Sequence, residues 1–333
     1  MKIAIIGGGW VGCHLTNKLK QNHNVDLFEK NNELFTETSF NNQNRLHLGF
    51  HYARSHKTRT LCKESFNKFN DEYGFLVKNV KKNLYCIPKN KSLIDFQTYL
   101  KIFNDYSFTI EEKKLNTLEG CINTNEKYID FELAKKYFNQ ELKNNIINKE
   151  ITKKDLKKLS SEYDLVVNCT NNFLKTKKNN NHYYELTISF LYEKINDEFF
   201  DSLTLVDGTL FSIYPYRNNL YTVTDVEITP LKKFNSIKSI EKFKKGLTSD
   251  YINKKRIKIE KKINLLYENF LNVFKYNSYY LSVKSKIKND SDDRSPIIEF
   301  DDNIINTFTG KIQGIYMIED FINNFLNNEK NRT

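Results

Sequence analysis

Apolar positions along this 333-residue chain follow two different periods, and the change between them divides it. The continuous run Ile3-Ala4-Ile5-Ile6 enters Gly7-Gly8-Gly9-Trp10-Val11-Gly12, and Val25-Asp26-Leu27-Phe28-Glu29 follows, which predicts strand, tight turn, helix and strand. Thr36 to Arg45 is polar without period and reads as a loop. Leu61, Ser65, Phe69 and Tyr73 fall one turn apart, so 57–73 is expected to be an amphipathic helix closed by Gly74 at its C′ position. Leu84 to Pro88 reads as a strand, and Leu93, Phe96, Tyr99, Leu100 and Phe103 as the inner face of a helix. A short strand at Lys127-Tyr128-Ile129, an Asp130 N-cap and a helix through Phe131, Ala134, Phe138 and Leu142 come next.

Ile146-Ile147 reads as a brief strand, and the apolar run from Tyr163 to Thr170 suits a strand buried in a parallel sheet. Between 183 and 226 the period becomes two, predicting an antiparallel sheet with turns at Asp207-Gly208 and Asn218-Asn219. Residues 237–273 return to a helical pattern. The chain closes with a strand Ile304 to Phe308, a turn Thr309-Gly310-Lys311 and a helix over 313–327.

Composition changes this picture little. Hydrophobic residues make up 39% and aromatics 14%, enough for about two globular cores. The net charge of +11 invites a nucleic-acid partner, but the lysines are scattered, and runs such as Lys175-Thr176-Lys177-Lys178 and Lys254-Lys255-Arg256 read as solvated surface. No nucleic-acid partner is expected. Cys13, Cys62, Cys86, Cys121 and Cys169 show neither a C-x-x-C nor a disulfide framework, and the first apolar stretch is a strand running into glycines rather than a leader, so a cytoplasmic location is expected. No stretch is long enough to span a membrane, and the six histidines do not pair with carboxylates at ligand spacing, so no metal is expected.

The chemistry begins in the first turn. Gly7, Gly9 and Gly12 give the G-x-G-x-x-G spacing around Trp10 and Val11, and Glu29 stands seventeen residues beyond Gly12 at the end of the second strand. Such a turn bends sharply at its first glycine and lets backbone N–H groups meet a pyrophosphate at the second. Its third glycine packs the helix onto the strand, and the acid accepts hydrogen bonds from a ribose. A dinucleotide cofactor is expected there, with Lys30 beside Glu29.

These glycines with Glu29, the Tyr128-Ile129-Asp130 strand and helix, the Asp164 to Thr170 strand, and the turn Thr309-Gly310-Lys311-Ile312-Gln313-Gly314 together resemble the D-amino-acid-oxidase-like FAD-dependent oxidoreductases, which include glycine and sarcosine oxidases. The resemblance covers about 150 residues, all in nucleotide-binding segments. It implies an α/β fold with a discontinuous Rossmann-like FAD domain, 1–75, 128–175 and 290–333, and a mixed or antiparallel-sheet substrate domain, 76–127 and 176–289. It implies FAD rather than NAD, because a terminal β-turn-α unit returns to the first site. Thr170, Gly310, Lys311, Ile312 and Gln313 would then meet the cofactor, and so would Arg45 and His47 from the loop Asn44 to Ser55. One departure is clear: where the family carries glycine after Thr170, this chain has Asn171 and Asn172, which tolerate positive φ.

On the substrate side the same resemblance nominates His51, Tyr52 and Arg54 from that loop and Arg217 from Tyr214-Pro215-Tyr216-Arg217. Arg294, in Asp292-Asp293-Arg294-Ser295-Pro296, lies just ahead of the terminal unit. Arg54, Arg217 and Lys311 converging on one flavin face would select an anionic small molecule. The implied activity is oxidation of a C–N bond in a small anionic amine or amino acid by hydride transfer to flavin. Oxidation of a sugar or amino-sugar, a non-redox isomerase resembling UDP-galactopyranose mutases, and a non-catalytic nucleotide-binding protein stand beside it as alternatives.

Overall fold

The computed structural model describes residues 1–174, 182–208, 210–288 and 294–330, so Lys175-Thr176-Lys177-Lys178, Asp292 and Asp293 lie outside the described residues. Among those described, the strands form sheets of six, nine and three. The six-stranded sheet runs Ile297–Asp301, Ile304–Phe308, Leu165–Asn168, Lys2–Ile6, Asn24–Glu29, Ile146–Asn148. Its pairings are parallel except for the hairpin of the first two strands. The reason for the continuous apolar run at 3–6 lies in its two faces. Ile3 and Ile5 enter a core with helices Trp10–Leu19, Phe131–Glu141 and Ile315–Lys330, whereas Ala4 and Ile6 meet Leu156 and Leu159 of helix Lys153–Glu162.

The nine-stranded sheet is two-faced in a different way. In strand His182–Lys194, Leu186, Ile188 and Phe190 enter apolar cores shared with helices Ile237–Lys245 and Ser249–Asn264. Glu185, Thr187 and Ser189 alternate onto the opposite face. The register with strand Phe274–Ile287 sets Lys284 against Glu185, Ser282 against Thr187 and Tyr280 against Ser189. Further along, Tyr214 meets Thr222, Ser212 meets Thr204, and Thr204 meets Tyr85. One face of this sheet is therefore a polar stripe, although Thr187, Ser212 and Thr204 are buried. A polar face under cover is costly unless it faces partners or a ligand.

One expectation needs correcting. Gly74 has φ −56, right-handed rather than the left-handed C′ conformation, and opens a single 3₁₀ turn, Gly74–Leu76. The helix His56–Tyr73 continues into that turn because Leu76 is pulled into the core. The expected strand at Tyr128 is present and lies between Arg45–Leu46 and Val77–Asn79 in the three-stranded sheet. Strands Pro230–Phe234, Phe274–Ile287 and Ile297–Asp301 carry no strong local period and are fixed by their neighbours. Asn171 and Asn172 do adopt φ 54 and 65.

Candidate functional site

The first part of the site is made of backbone. Gly7 has φ +104, donates its N–H to the Phe28 carbonyl at 2.8 Å, and leaves only 3.0 Å between an added Cβ and the Cys169 carbonyl oxygen. At Gly12 an added Cβ would stand 2.0 Å from the Gly7 carbonyl oxygen, so helix and strand pack closer than any side chain permits. Glu29 binds the turn itself: Oε2 accepts from the Gly8 N–H at 2.7 Å and Oε1 from the Asn31 N–H at 2.9 Å. Helix Trp10–Leu19 begins at Gly9 without a side-chain cap from that residue, and Ser39 Oγ accepts the Trp10 N–H at 3.1 Å. A glycine cradle, a helix N-terminus and an acid at the strand end fit the diphosphate and ribose of a dinucleotide. Thr170 abuts the same turn, its Cα 3.4 Å from a Cβ built on Gly7.

The second part is made of side chains from distant segments. Arg45 is buried, its guanidinium 3.8 Å over the Tyr214 ring, with Nη1 donating to Thr204 Oγ1 at 2.7 Å and Nη2 to Ser212 Oγ. Glu126 is also buried. Its Oε1 accepts from the Leu48 and Gly49 N–H groups at 2.7 and 3.0 Å, and its Oε2 from the Tyr85 hydroxyl at 2.5 Å. His47 Nδ1 lies 3.6 Å from that carboxylate, and His47 Nε2 lies 3.4 Å from Lys311 Nζ. Lys311 also sits 4.7 Å over the Tyr52 ring, and Gln313 donates to the His47 carbonyl at 3.3 Å.

Charge in this enclosure is predominantly positive. Desolvation and the neighbouring Lys311 lower His47 to about 4, against the opposing pull of Glu126. Lys311 is lowered to about 8 by burial and by Arg294, Lys284 and Arg45, and Lys284 likewise to about 8 by burial and Lys286. Although burial pushes the Glu126 carboxyl up, His47, Tyr85 and Arg45 hold it below the ordinary value. Four buried polar atoms without a hydrogen-bond partner among the described residues lie here: Arg45 Nε, His47 Nδ1, His51 Nδ1 and Gln313 Oε1. Unpartnered buried groups at one place are what a bound polar ligand would satisfy. The donor set fits the polar edge of a flavin and an anionic small molecule.

The sequence-predicted residues divide accordingly. Gly7, Gly9, Gly12, Glu29 and Thr170 meet at the cradle, and Arg45, His47, His51, Tyr52, Lys311 and Gln313 meet in the enclosure. Gly310 packs against Arg294, and Ile312 is partly buried against the parallel-sheet core, as is Val11. Trp10 is corrected: its indole is enclosed by Phe35, Phe69, Tyr73 and Phe138, a core role that leaves only its backbone at the turn. Lys30 turns to Glu37 at 2.7 Å. The arginine pair is also corrected. Arg54 is 54% exposed and paired with Asp207, and Arg217 is 44% exposed and paired with Glu132 at 2.9 Å, because Arg54 lies in the loop before helix His56–Tyr73 and Arg217 ends strand Phe211–Arg217, each at the surface beside an acid.

Glu126, Tyr85, Tyr214 and Lys284 were not legible as site residues. The alternation of Glu185, Thr187 and Ser189 with apolar neighbours was the available signal for the polar stripe. Among the described residues no group of three or more potential metal ligands occurs, and no helix is long and apolar enough to cross a membrane.

Comparison with known proteins bears on the same segments. A family model described as FAD dependent oxidoreductase matches residues 2–82. The chain is 30% identical over 346 residues to the FAD-dependent monooxygenase FPY4 of Fusarium mangiferae, covering 98% of this chain and 91% of that one. A modified fructosyl peptide oxidase from Aspergillus nidulans superposes with TM-score 0.70 at 11% identity, covering 98% of this chain and 90% of the other. Glycine oxidase from Geobacillus kaustophilus gives 0.67 at 13% identity, covering 94% and 90%. These two likenesses concern the fold.

Proposed function

Given that the chain belongs to the D-amino-acid-oxidase-like FAD-dependent oxidoreductases, we propose that it oxidises a C–N bond in a small anionic amine or amino acid. FAD supplies the two-electron acceptor. The observation that carries the substrate class is the charge of the enclosure. Arg45 is met by hydroxyls and an aromatic face, and Lys311 by a neutral imidazole and the Tyr52 ring. Glu126 is already engaged by two backbone amides and Tyr85. Among the described residues neither cation has a carboxylate partner, and desolvated cations so placed favour an anion, with charge-assisted contacts stronger than at the surface. In this arrangement Lys311 and Arg45 bind and orient the anionic group, while the polar stripe through Thr187, Ser282 and Tyr280 covers the substrate from the sheet side.

A second reading, monooxygenation, is favoured by the name of the Fusarium mangiferae relative. One experiment separates the two. The FAD-loaded protein is titrated anaerobically with a panel of amino acids, amines and sugars, and then with NADH or NADPH, while the flavin absorbance is followed. Bleaching by an anionic amine supports oxidation at C–N; bleaching by the nicotinamide alone supports monooxygenation. Equal bleaching by an amine and its carboxylated counterpart, at the same apparent affinity, overturns the anionic substrate.

A further inference from the structure

The contact between Lys311 and His47 gives Lys311 a second task. We propose that Lys311 Nζ is the proton acceptor for the ammonium group of the incoming substrate, and that Glu126, acting through His47, is the positioning residue that keeps it available. This rests on the reading of the substrate as an anionic amine.

The argument starts at Glu126. Two backbone amides claim Oε1, and the Tyr85 hydroxyl fixes Oε2, so the carboxylate cannot turn. His47 Nδ1 faces Oε2 at 3.6 Å. A neutral imidazole carries a single N–H, and a carboxylate beside Nδ1 draws it there. Nε2 is left with its lone pair directed at Lys311 Nζ, 3.4 Å away. Lys311 therefore has a neutral acceptor on one side and the Tyr52 ring on another, and among the described residues no carboxylate pairs with it. The groups facing it from packed elements are Arg45, His47, His51, Tyr52, Cys62, Lys284 and Arg294, mostly cations or neutral groups. Positive surroundings and desolvation favour the neutral amine, and its value of about 8 follows from that geometry.

The step is a proton transfer alone. An N–H bond of the substrate ammonium breaks and an N–H bond forms at Nζ, leaving the substrate nitrogen neutral with its lone pair free and Lys311 positive. No electron is gained or lost. The new ammonium then stands beside the substrate's anionic group, which stabilises it, so binding and deprotonation reinforce one another.

The test is an NMR titration of the FAD-loaded protein carrying ¹³Cε-lysine and ¹⁵N-histidine, with the Lys311 signal assigned by its loss in Lys311→Arg. The expected result is a Lys311 midpoint near 8, about 300-fold more neutral amine at pH 7 than an ordinary lysine at 10.5, with His47 in the Nδ1–H form. Glu126→Gln is informative because the backbone amides keep its oxygen, so its NH₂ must replace Oε2 and donate to His47 Nδ1. His47 should flip to the Nε2–H form, and the Lys311 midpoint should fall by about one unit, a tenfold change. His47→Leu, which removes the acceptor outright, should lower that midpoint even if Glu126→Gln does not fold. A Lys311 midpoint at the ordinary value, or one unmoved in His47→Leu, overturns the proposal. Acetate, monitored through the flavin absorbance, tests the underlying reading separately: it should bind wild type and Lys311→Arg within about threefold and Lys311→Met far more weakly. Acetate binding that Lys311→Met leaves unchanged overturns the anionic reading, and the acceptor role with it.

Discussion

The glycine cradle and the cationic enclosure lie in one molecule but are built on opposite plans. The cradle is backbone: four glycines stand within six residues, and at Gly7 and Gly12 a carbonyl oxygen lies 3.0 and 2.0 Å from any added carbon. The enclosure is side chain: Arg45, Glu126, Lys284 and Lys311 come from segments up to 266 residues apart, and their work depends on charge and desolvation. A steric site fails all at once, because backbone cannot yield. An electrostatic site fails by degrees, because each charge contributes its own increment and neighbouring charges share the load.

The largest effect should fall on the cradle. Gly12→Ala drives a carbon into the Gly7 carbonyl, which should cost about 3 kcal/mol or more and leave the purified protein colourless. Full FAD content and an unchanged unfolding midpoint would break the distinction between the two regions. In the enclosure, the acid side of the stability profile should be governed in part by His47. Its folded value, about 4, lies below the ordinary 6.5, so the unfolded chain binds the proton first. Its contribution, about 2–4 kcal/mol, is complete above pH 6.5 and lost as the pH falls through 4. Urea unfolding at pH 7 and pH 4.5 should differ by less in His47→Gln than in wild type.

Lys311→Met should sharpen the contrast, since here function and stability move in opposite directions. Removing a desolvated cation should stabilise the anion-free protein by about 1–2 kcal/mol at pH 7, while affinity for an anionic ligand falls about 30-fold. That stability gain should shrink above pH 8, where wild-type Lys311 sheds its own charge. The smallest effects belong to Arg54→Met and Arg217→Met. Both arginines are exposed ion-pair partners, so each change should stay within about 0.5 kcal/mol in stability and leave ligand affinity alone. A tenfold loss of affinity in either would return those residues to the enclosure.

How much of this was legible follows the same division. The first strand, glycine turn and Glu29 could be read directly, because each step depends on residues within one βαβ unit and each glycine answers a local steric demand. The Asp130 cap and its helix were equally local. Arg217 misled because a strand end fixes where a residue sits but not which way its side chain finds a partner; Glu132 settled that. Trp10 misled similarly, since its place in the turn says nothing about the four rings that enclose it.

The sequence by itself determined the glycine turn, the two-part α/β architecture and the cluster of basic and aromatic residues at 45–54, because short-range periodicity and glycine sterics are written into neighbouring residues. Tertiary structure decided which of those charges share an enclosure. Strand Phe274–Ile287 reads as no element alone, yet its register along His182–Lys194 sets Lys284, Ser282 and Tyr280 on the polar stripe. Glu126 gives no local signal either, and becomes a hub only when Leu48, Gly49, Tyr85 and His47 fold around it. The physical reason is that desolvation and Coulomb interaction depend on distances in space, and in this fold those distances are fixed by pairings between residues that the chain holds far apart.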